Sequence, residues 1–237
     1  MAKKKFESSF AAFREQLKKE KIKEVQIAVK EERRYFLIVS EGIRTEPIYF
    51  KYLSGLLPKN LVDTIEVDGA GDNTINVVRK AMLLREDRSN NKNLPQYDEV
   101  WAVYDKDDFP PTRYNEAIDL AAREGIQSGH SNQSFELWYI LHYEFLQSAL
   151  HRTDYIRKMK GHLGFKYTKN TPKVVEKIME TGNVQQAIIW AKELEKLHDG
   201  KTAADSCPHT KVYILVEKIL AYIENNKPKP VGLKTKE

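Results

Sequence analysis

Carboxylates follow two apolar stretches of the sequence, at the point where each stretch ends. Glu41 comes directly after residues 36–40 (FLIVS), and Asp105, Asp107 and Asp108 follow residues 99–104 (EVWAVY). Short, nearly continuous apolar runs are typical of strands that are covered on both faces of a parallel sheet. Because ligands bind where the carboxyl ends of parallel strands meet, we expect these acids to share one edge of a sheet.

This acidic set has the composition of a site for a hard divalent cation. Alternation along an extended segment points Asp105 and Asp107 to the same side, where two carboxylates hold Mg²⁺ or Mn²⁺ through oxygen and water. A nearby glutamate completes the site or transfers a proton, and such a set suits phosphoryl chemistry. The alternative is structural, because D-x-D-D after a strand is also found as a solvated turn, with Asp108 as a turn or cap residue.

Strand and helix patterns alternate in the part of the chain that carries these acids. Strands are predicted at residues 35–39, 61–67, 99–104 and 125–131, and helices at 45–57, 74–85, 111–124 and 135–143. This order predicts an α/β fold with a mostly parallel sheet and helices on both faces. Thr45 is the expected N-cap of the first of these helices, with Pro47 tolerated in its first turn.

The sequence on either side of this region has no strand pattern. Residues 6–32 have a helical and heavily charged sequence pattern, and after Glu144 only helices are predicted, at residues 152–160, 172–180, 184–198 and 210–223. We therefore predict four segments: a basic helical arm (1–34), an α/β domain (35–145), a helical extension packed on it (146–224) and a basic flexible tail (225–237).

The net charge of the 237 residues is +5, but the excess positive charge lies at the two ends. Residues 1–34 contain 11 lysines and arginines against 6 glutamates, and residues 225–237 contain 4 lysines against 1 glutamate, which leaves about −3 for residues 35–224. Basic ends bind phosphates without sequence preference, although solvated basic ends also occur in proteins that touch no nucleic acid. The lysines that we expect to contact nucleic acid are Lys3, Lys4, Lys5, Lys18, Lys19 and Lys106.

Composition narrows the class of protein further. Hydrophobic residues make up 41% and charged residues 31%, which fits a folded globular protein rather than a disordered one. No apolar run approaches the roughly 18 residues of a membrane helix, and the N-terminal residues lack the apolar core of a signal peptide. The single cysteine, Cys207, forms neither an internal disulfide nor a thiolate metal site. We therefore expect a cytoplasmic protein with no membrane partner.

Four blocks of the sequence resemble the successive motifs of the RloB family. The blocks are EGIRTEPIYF, VWAVYDKDDF, SNQSFELWYILHYE and PHTKVYILVEKI, and they span Glu41 to Ile219. The layout of a glutamate followed by Asp-x-Asp also resembles the Toprim fold of topoisomerases, primases and OLD-type nucleases. The resemblance implies a Toprim-like nuclease from a bacterial or archaeal defence locus, of the kind often found beside an AAA-type ATPase.

The resemblance also implies roles for individual carboxylates. Glu41 matches the Toprim glutamate, a general acid/base or metal-assisting group, and Asp105 and Asp107 match the metal-binding pair. Glu46 is prominent in the RloB pattern, with favourable charge in the first turn of a helix as its alternative. Glu136 adds a further carboxylate to the same edge of the sheet, or else it takes part in helix capping with Ser131 or Asn132. The expected catalytic residues are Glu41, Glu46, Asp105 and Asp107, and the expected metal ligands are Glu41, Asp105, Asp107, Asp108 and Glu136.

Three histidines and a glycine-rich loop are weaker candidates. His142 lies in an apolar helical pattern and is expected to be a core residue, whereas His209 is expected at a helix start. His130, at the end of the fourth predicted strand, is a candidate for facing the acidic site. The loop at residues 69–73 (GAGDN) lacks the Lys-Ser/Thr ending of a P-loop and is predicted to be a turn.

Two functions are consistent with the sequence. The first is a nuclease that depends on Mg²⁺ or Mn²⁺, hydrolyses phosphodiesters of DNA or RNA, and acts as an effector of anti-phage defence. The second is a non-catalytic regulatory module that binds nucleic acid or a nucleotide and docks on an ATPase partner. The charged arm is a candidate for forming a homo-oligomer or for binding a partner.

Overall fold

The computed structural model describes residues 33–70 and 73–226. The predicted arm and tail fall almost entirely outside the described residues, as do the predicted nucleic-acid contacts Lys3, Lys4, Lys5, Lys18 and Lys19. Two residues of the glycine-rich loop, Gly71 and Asp72, are outside them as well. The structure therefore tests the predictions for the α/β region and for the helices that follow it.

A four-stranded parallel sheet lies at the centre of the described part of the chain. Its strands are β1 (Phe36–Ser40), β2 (Ile65–Gly69), β3 (Glu99–Val103) and β4 (Gln127–Ser128), in the spatial order β2-β1-β3-β4. Ser40, the last residue of β1, is level with the last residues of both β2 and β3. This register brings the carboxyl ends of three strands to one edge, and the α/β class predicted from sequence is confirmed.

Eight α-helices flank the sheet in the described residues. They are α1 (Thr45–Ser54), α2 (Thr74–Asn90), α3 (Pro111–Arg123), α4 (Glu136–Ile140), α5 (Arg152–Leu163), α6 (Pro172–Thr181), α7 (Val184–Leu197) and α8 (Val212–Asn225). This arrangement of helices around a parallel sheet is consistent with a Toprim-like fold.

The two faces of β1 belong to two different hydrophobic cores. Phe36 and Ile38 pack in a core shared with α1 and α4–α8. Leu37 and Val39 point to the other face, where α2 and α3 cover them. Because successive side chains of a strand alternate between faces, a strand covered on both sides must be apolar throughout. The helices after residue 146 therefore share one core with a face of the sheet.

Several predicted elements differ from the structure. Residues 62–64 form a 3₁₀ turn, held by a 2.6 Å hydrogen bond from Thr64 Oγ1 to the Leu61 carbonyl, so β2 begins four residues later than predicted. Helix α2 continues to Asn90, beyond the predicted end at residue 85. The N-cap position of α1 is occupied by Arg44, not by Thr45. The Thr45 hydroxyl instead donates to the Lys169 carbonyl at 3.0 Å. The predicted capping role of Thr45 is wrong because that hydroxyl joins α1 to a distant loop.

The prediction that strands stop after Glu144 is also wrong. The predicted strand at residues 125–131 divides into β4 and a separate strand, β5 (Ser131–Asn132), which pairs antiparallel with β6 (His209–Thr210). His209, expected at a helix start, therefore lies in a strand, and α8 starts at Val212. Strands of two residues are too short to show a period of two in the sequence.

Gly69 is predicted to be required at the end of β2. A Cβ at this position would lie 2.5 Å from Ile43 Cα and 2.8 Å from the Gly42 carbonyl oxygen, and backbone atoms cannot move aside as a side chain can. Gly69→Ala should therefore lower the free energy of unfolding by about 1–3 kcal/mol, as overpacking does. The measurement is urea unfolding followed by circular dichroism.

Gly161, inside α5, is the matched control because a Cβ there meets no atom within 4 Å. Gly161→Ala should raise the free energy of unfolding by about 0.5–1 kcal/mol, the helix-propensity difference between the two residues. If the two variants changed the free energy of unfolding equally, the backbone contact of Gly69 with residues 42–43 would have no measurable steric effect.

Candidate active site

A cavity of about 250 Å³ opens at the carboxyl edge of the sheet. Four of its carboxylates, those of Glu41, Glu46, Asp105 and Asp107, come from the segments that follow β1 and β3. A fifth comes from Glu136 at the start of α4, and the cavity also receives Lys169 from the loop between α5 and α6. The structure thus brings all four predicted catalytic residues into one cavity.

Glu41 joins the ends of the two central strands. Its backbone N–H donates to the Val103 carbonyl at 2.8 Å, and its Oε2 accepts a hydrogen bond of 3.0 Å from the backbone N–H of Asp105. Burial is the main cause that raises the pKa of Glu41 to about 7, and the negative charges of Asp107 and Glu46 add to the effect. Its carboxyl group therefore exchanges a proton near neutral pH.

Glu46 is buried in the cavity rather than exposed in the first turn of a surface helix. Its Oε1 accepts from the backbone N–H of Gly42 at 3.3 Å, and a Cβ on Gly42 would lie 2.3 Å from Glu46 Oε2. The close approach explains the glycine in the EG pair. Burial, together with the charge of Glu136, raises the pKa of Glu46 to about 7.

Asp105 is buried, with only 9% of its surface exposed. Its Oδ1 has no hydrogen-bond partner among residues 33–70 and 73–226. Burial and the nearby carboxylates, first Glu46 and then Glu136, raise its pKa well above the ordinary value of an aspartate. A buried, unpartnered carboxylate oxygen is costly, so this atom is available to a ligand.

Asp107 lines the same cavity, but the alternation of side chains along a strand does not place it there. Its φ of 42° is in the left-handed region, which aspartate adopts more readily than most residues. Its backbone N–H donates to the Gln133 carbonyl at 3.0 Å, and Arg152 lies 3.5 Å from its Oδ1. Burial still raises the pKa of Asp107, although the charges of Arg152 and Lys169 oppose that shift.

The structure places Asp108 outside the cavity lining. Its side chain is 72% exposed and forms an ion pair with Arg152, and this hydrogen bond lowers the pKa of Asp108. Lys106 does not line the cavity either, and its backbone N–H donates to the Ser131 carbonyl at 2.9 Å. The position of Asp108 fits the alternative that it is a solvated turn residue.

Glu136 is held by three side chains rather than by a capping partnership with Ser131 or Asn132. Ser134 Oγ donates to its Oε2 at 2.6 Å, Tyr167 donates to its Oε1 at 2.8 Å, and Lys169 Nζ lies 3.3 Å from the same Oε1. Sequence reasoning missed Tyr167 and Lys169, which belong to a loop without a recognisable motif. Only the long-range fold brings this loop to the sheet edge.

The donor set of the cavity suits a hard divalent cation. Carboxylate oxygens are the ligands that Mg²⁺ and Mn²⁺ prefer, and Asp105 offers a buried oxygen that no other described residue hydrogen-bonds. Within the described ranges, no three histidine, cysteine, aspartate or glutamate side chains already converge as a set of metal ligands. Ion binding would therefore draw Glu41, Asp105 and Asp107 closer together.

The histidine predictions have different outcomes. His142 is a core residue, as predicted: it is buried, its Nδ1 lies 2.9 Å from the Trp138 carbonyl, and burial lowers its pKa to about 4. His130 lines a second cavity, separate from the acidic one, together with His209.

The chain belongs to the RloB family. The family model described as "RloB-like protein" matches residues 36–219, which cover the sheet, the acidic cavity and all but the last turns of α8. No curated protein and no solved structure gives a significant match. None of the helices in the described residues is long and apolar enough to cross a membrane.

The raised carboxyl pKa values predict an unusual pH dependence of stability in EDTA. Between about pH 4.5 and 7, folded Glu41 and Glu46 retain protons that the unfolded chain has lost, so the free energy of unfolding should fall as the pH rises. Glu41→Gln should flatten this fall and stabilise the protein at pH 8 by on the order of 1–2 kcal/mol. Urea unfolding at pH 5 and pH 8 measures the effect.

Glu193→Gln, on the exposed surface of α7, is the control and should leave the pH dependence unchanged. A wild-type stability that rises between pH 5 and 7, or a Glu41→Gln variant with the wild-type slope, would contradict the assigned protonation.

Proposed function

We propose that this protein is a divalent-metal-dependent nuclease that hydrolyses phosphodiester bonds of DNA or RNA. The observation that supports the proposal most strongly is that five carboxylates line one cavity, where the buried Oδ1 of Asp105 has no hydrogen-bond partner among the residues that the structure describes. Burial, followed by repulsion from Glu46 and Glu136, raises the pKa of Asp105, and a divalent cation would relieve this repulsion. The RloB resemblance supports the same chemistry.

Each carboxylate has a role in this proposal. Asp105, Asp107 and Glu41 would hold Mg²⁺ or Mn²⁺, which supplies neutralisation of phosphate oxygens and stabilisation of the leaving oxygen when bound. Glu41, with a pKa of about 7, is suited to accept or donate the proton of the reaction near neutral pH. Glu46 and Glu136 are buried side chains of the same cavity and add two carboxyl groups to its lining.

Lys169 supplies positive charge inside the cavity. Its ammonium group contacts Glu136 at 3.3 Å while its side chain remains 55% exposed, so it can also meet an incoming phosphate. Arg44, exposed at the same cavity, adds a second cation on the solvent side. Residues 35–224 carry a slight net negative charge, so binding of a polyanion needs such local cations. The basic arm and tail would provide further phosphate contacts.

A second candidate function is a regulatory module that binds nucleic acid or a nucleotide without cutting it. The observation that favours it is the lack of a ready-made set of three metal ligands in the described ranges, with Glu136 already occupied by Ser134, Tyr167 and Lys169. In both cases we propose a defence setting and an AAA-type ATPase partner, on the strength of the RloB resemblance.

Three neighbouring aspartates provide the test of the nuclease. Asp105→Asn and Asp107→Asn should abolish Mg²⁺- or Mn²⁺-dependent cleavage of plasmid, single-stranded DNA or tRNA, because both residues line the cavity. Asp108→Asn should retain most of the activity, because its exposed side chain lies outside the cavity lining. Gel electrophoresis of the products, with and without EDTA, gives the readout.

Cleavage that survives both inner substitutions and EDTA would refute the proposed site. If the wild type binds nucleic acid but cuts nothing under any metal, with the ATPase partner present or absent, the regulatory function is favoured instead.

Lys169 is predicted to contribute to turnover rather than to folding. Lys169→Gln should lower the cleavage rate by about 10- to 100-fold, since it removes the ammonium group that contacts Glu136 and that we propose to meet the phosphate. Lys166→Gln, on the exposed surface of the same loop, is the control and should cut at the wild-type rate. Thermal unfolding of both variants close to that of the wild type would exclude a folding defect, and equal rates would contradict the assignment.

A further inference from the structure

Three of the six histidines of the chain line a second cavity of about 250 Å³. They are His130, beside β5, His198, at the end of α7, and His209 in β6. Glu195 and Asp199 line the same cavity, as do Lys201 and Lys211. Lys211 forms an ion pair with Glu195, so much of the local charge is already neutralised. The proposed nuclease function uses none of these residues.

Two buried imidazole nitrogens at this cavity have no hydrogen-bond partner in the described ranges. They are Nε2 of His130 and Nδ1 of His209, and each of these residues is only 5% exposed. The other nitrogen of His130 lies 2.9 Å from Ser128 Oγ, which is itself 2.6 Å from the Tyr104 hydroxyl. When His130 Nδ1–H donates to Ser128, Nε2 carries the lone pair, as in the supporting hydrogen bonds of metal-binding histidines.

The distance between the two rings fits a shared metal ion. Their centroids are 5.7 Å apart. With metal–nitrogen bonds of about 2.0–2.1 Å, two imidazoles on one tetrahedral ion have centroids roughly 5–6 Å apart. The spacing of the two rings is therefore compatible with both of them binding the same ion.

Both imidazoles are neutral at physiological pH. Burial, with help from nearby positive charge, lowers the pKa of His209 to about 4 and that of His130 well below its ordinary value. Neutral imidazole is the form that binds metal ions, so no proton has to be displaced near pH 7.

We propose that this cavity binds a transition-metal ion such as Zn²⁺ through His130 Nε2 and His209 Nδ1, with the Asp199 carboxylate as the third ligand. Asp199 is exposed at the cavity, and its carboxylate contacts no other residue that the structure describes through a hydrogen bond or ion pair. These three side chains are not yet close enough together to hold an ion, because the described residues contain no ready-made set of three metal ligands. Rotation of the Asp199 side chain would complete the site, whereas His198 is engaged with the Pro208 carbonyl through its Nε2 at 3.1 Å.

The proposed ion would stabilise the strand pair that supports the acidic loop. His209 pairs with Asn132 in the β5–β6 ladder, and the neighbouring Ser131 is bridged to Asp105. The backbone N–H of Asp107 donates to Gln133. The ion at the histidines is thus structural, and it is distinct from the hard cation proposed for the carboxylates.

The test uses the full chain, stripped of metal with a chelator and then dialysed. Isothermal titration with Zn²⁺ should show one tight site, and Co²⁺ should give the visible absorption of a four-coordinate ion with nitrogen ligands. His209→Gln should weaken Zn²⁺ binding by at least about 100-fold, more than is typical for loss of a supporting residue. Asp199→Asn, on the surface, should weaken it by about 10-fold without affecting the fold.

His162→Gln is the matched control, since His162 stacks on Tyr143 away from this cavity, and Zn²⁺ affinity should be unchanged. Asp105→Asn should also retain the site. The proposal is overturned if the wild type binds no Zn²⁺ at micromolar concentration, which would leave only a buried water between the imidazoles. It is equally overturned if Asp199→Asn and His209→Gln bind like the control, or if Asp105→Asn removes the binding.

Discussion

The hydrogen bond from the backbone N–H of Asp105 to the Glu41 carboxylate ties together the ends of β1 and β3. It depends on the parallel register, in which the last residues of the two strands are level. A slip of one residue would turn every side chain of β1 to the opposite face and separate Glu41 from Asp105. The cavity therefore depends on the register, which the two hydrophobic cores on either side of β1 maintain.

The acidic cavity is unfavourable for folding in the absence of a ligand. Glu46, Asp105 and Glu136 are each less than 10% exposed, and burial of several like charges raises their free energy. Four side chains from outside the sheet offset part of this cost. Ser134, Tyr167 and Lys169 bind Glu136, and Arg152 contacts Asp107, but Oδ1 of Asp105 has no hydrogen-bond partner in the part of the chain that the structure describes. Folded proteins retain such unfavourable arrangements chiefly at functional sites, which is why the cavity is a strong candidate for one.

The sequence predicts the part of this site that depends on local pattern. Apolar runs followed by acids predict Glu41, Asp105 and Asp107 at one sheet edge, and the structure places them there because parallel strands end together. Lys169 was missed because no local period links its loop to the sheet. Asp108 was grouped with its neighbours, but the left-handed backbone at Asp107 ends the alternation, and Asp108 turns out to Arg152. The β5–β6 pair was missed because two-residue strands depend on contacts between residues about 80 positions apart.

The two cavities differ in the chemistry of their donors, and this difference would allow the two proposed ions to bind without competition. The first offers carboxylate oxygens, which suit Mg²⁺ or Mn²⁺, and the second offers neutral imidazoles, which suit Zn²⁺. Residues 130–136 lie between them: His130 contributes to the second cavity and Glu136 to the first. The intervening backbone accepts hydrogen bonds from Lys106 and Asp107, so the position of the acidic loop is fixed from the histidine side. An ion that holds β5 against β6 would therefore also hold Asp105 and Asp107 where the carboxylates meet.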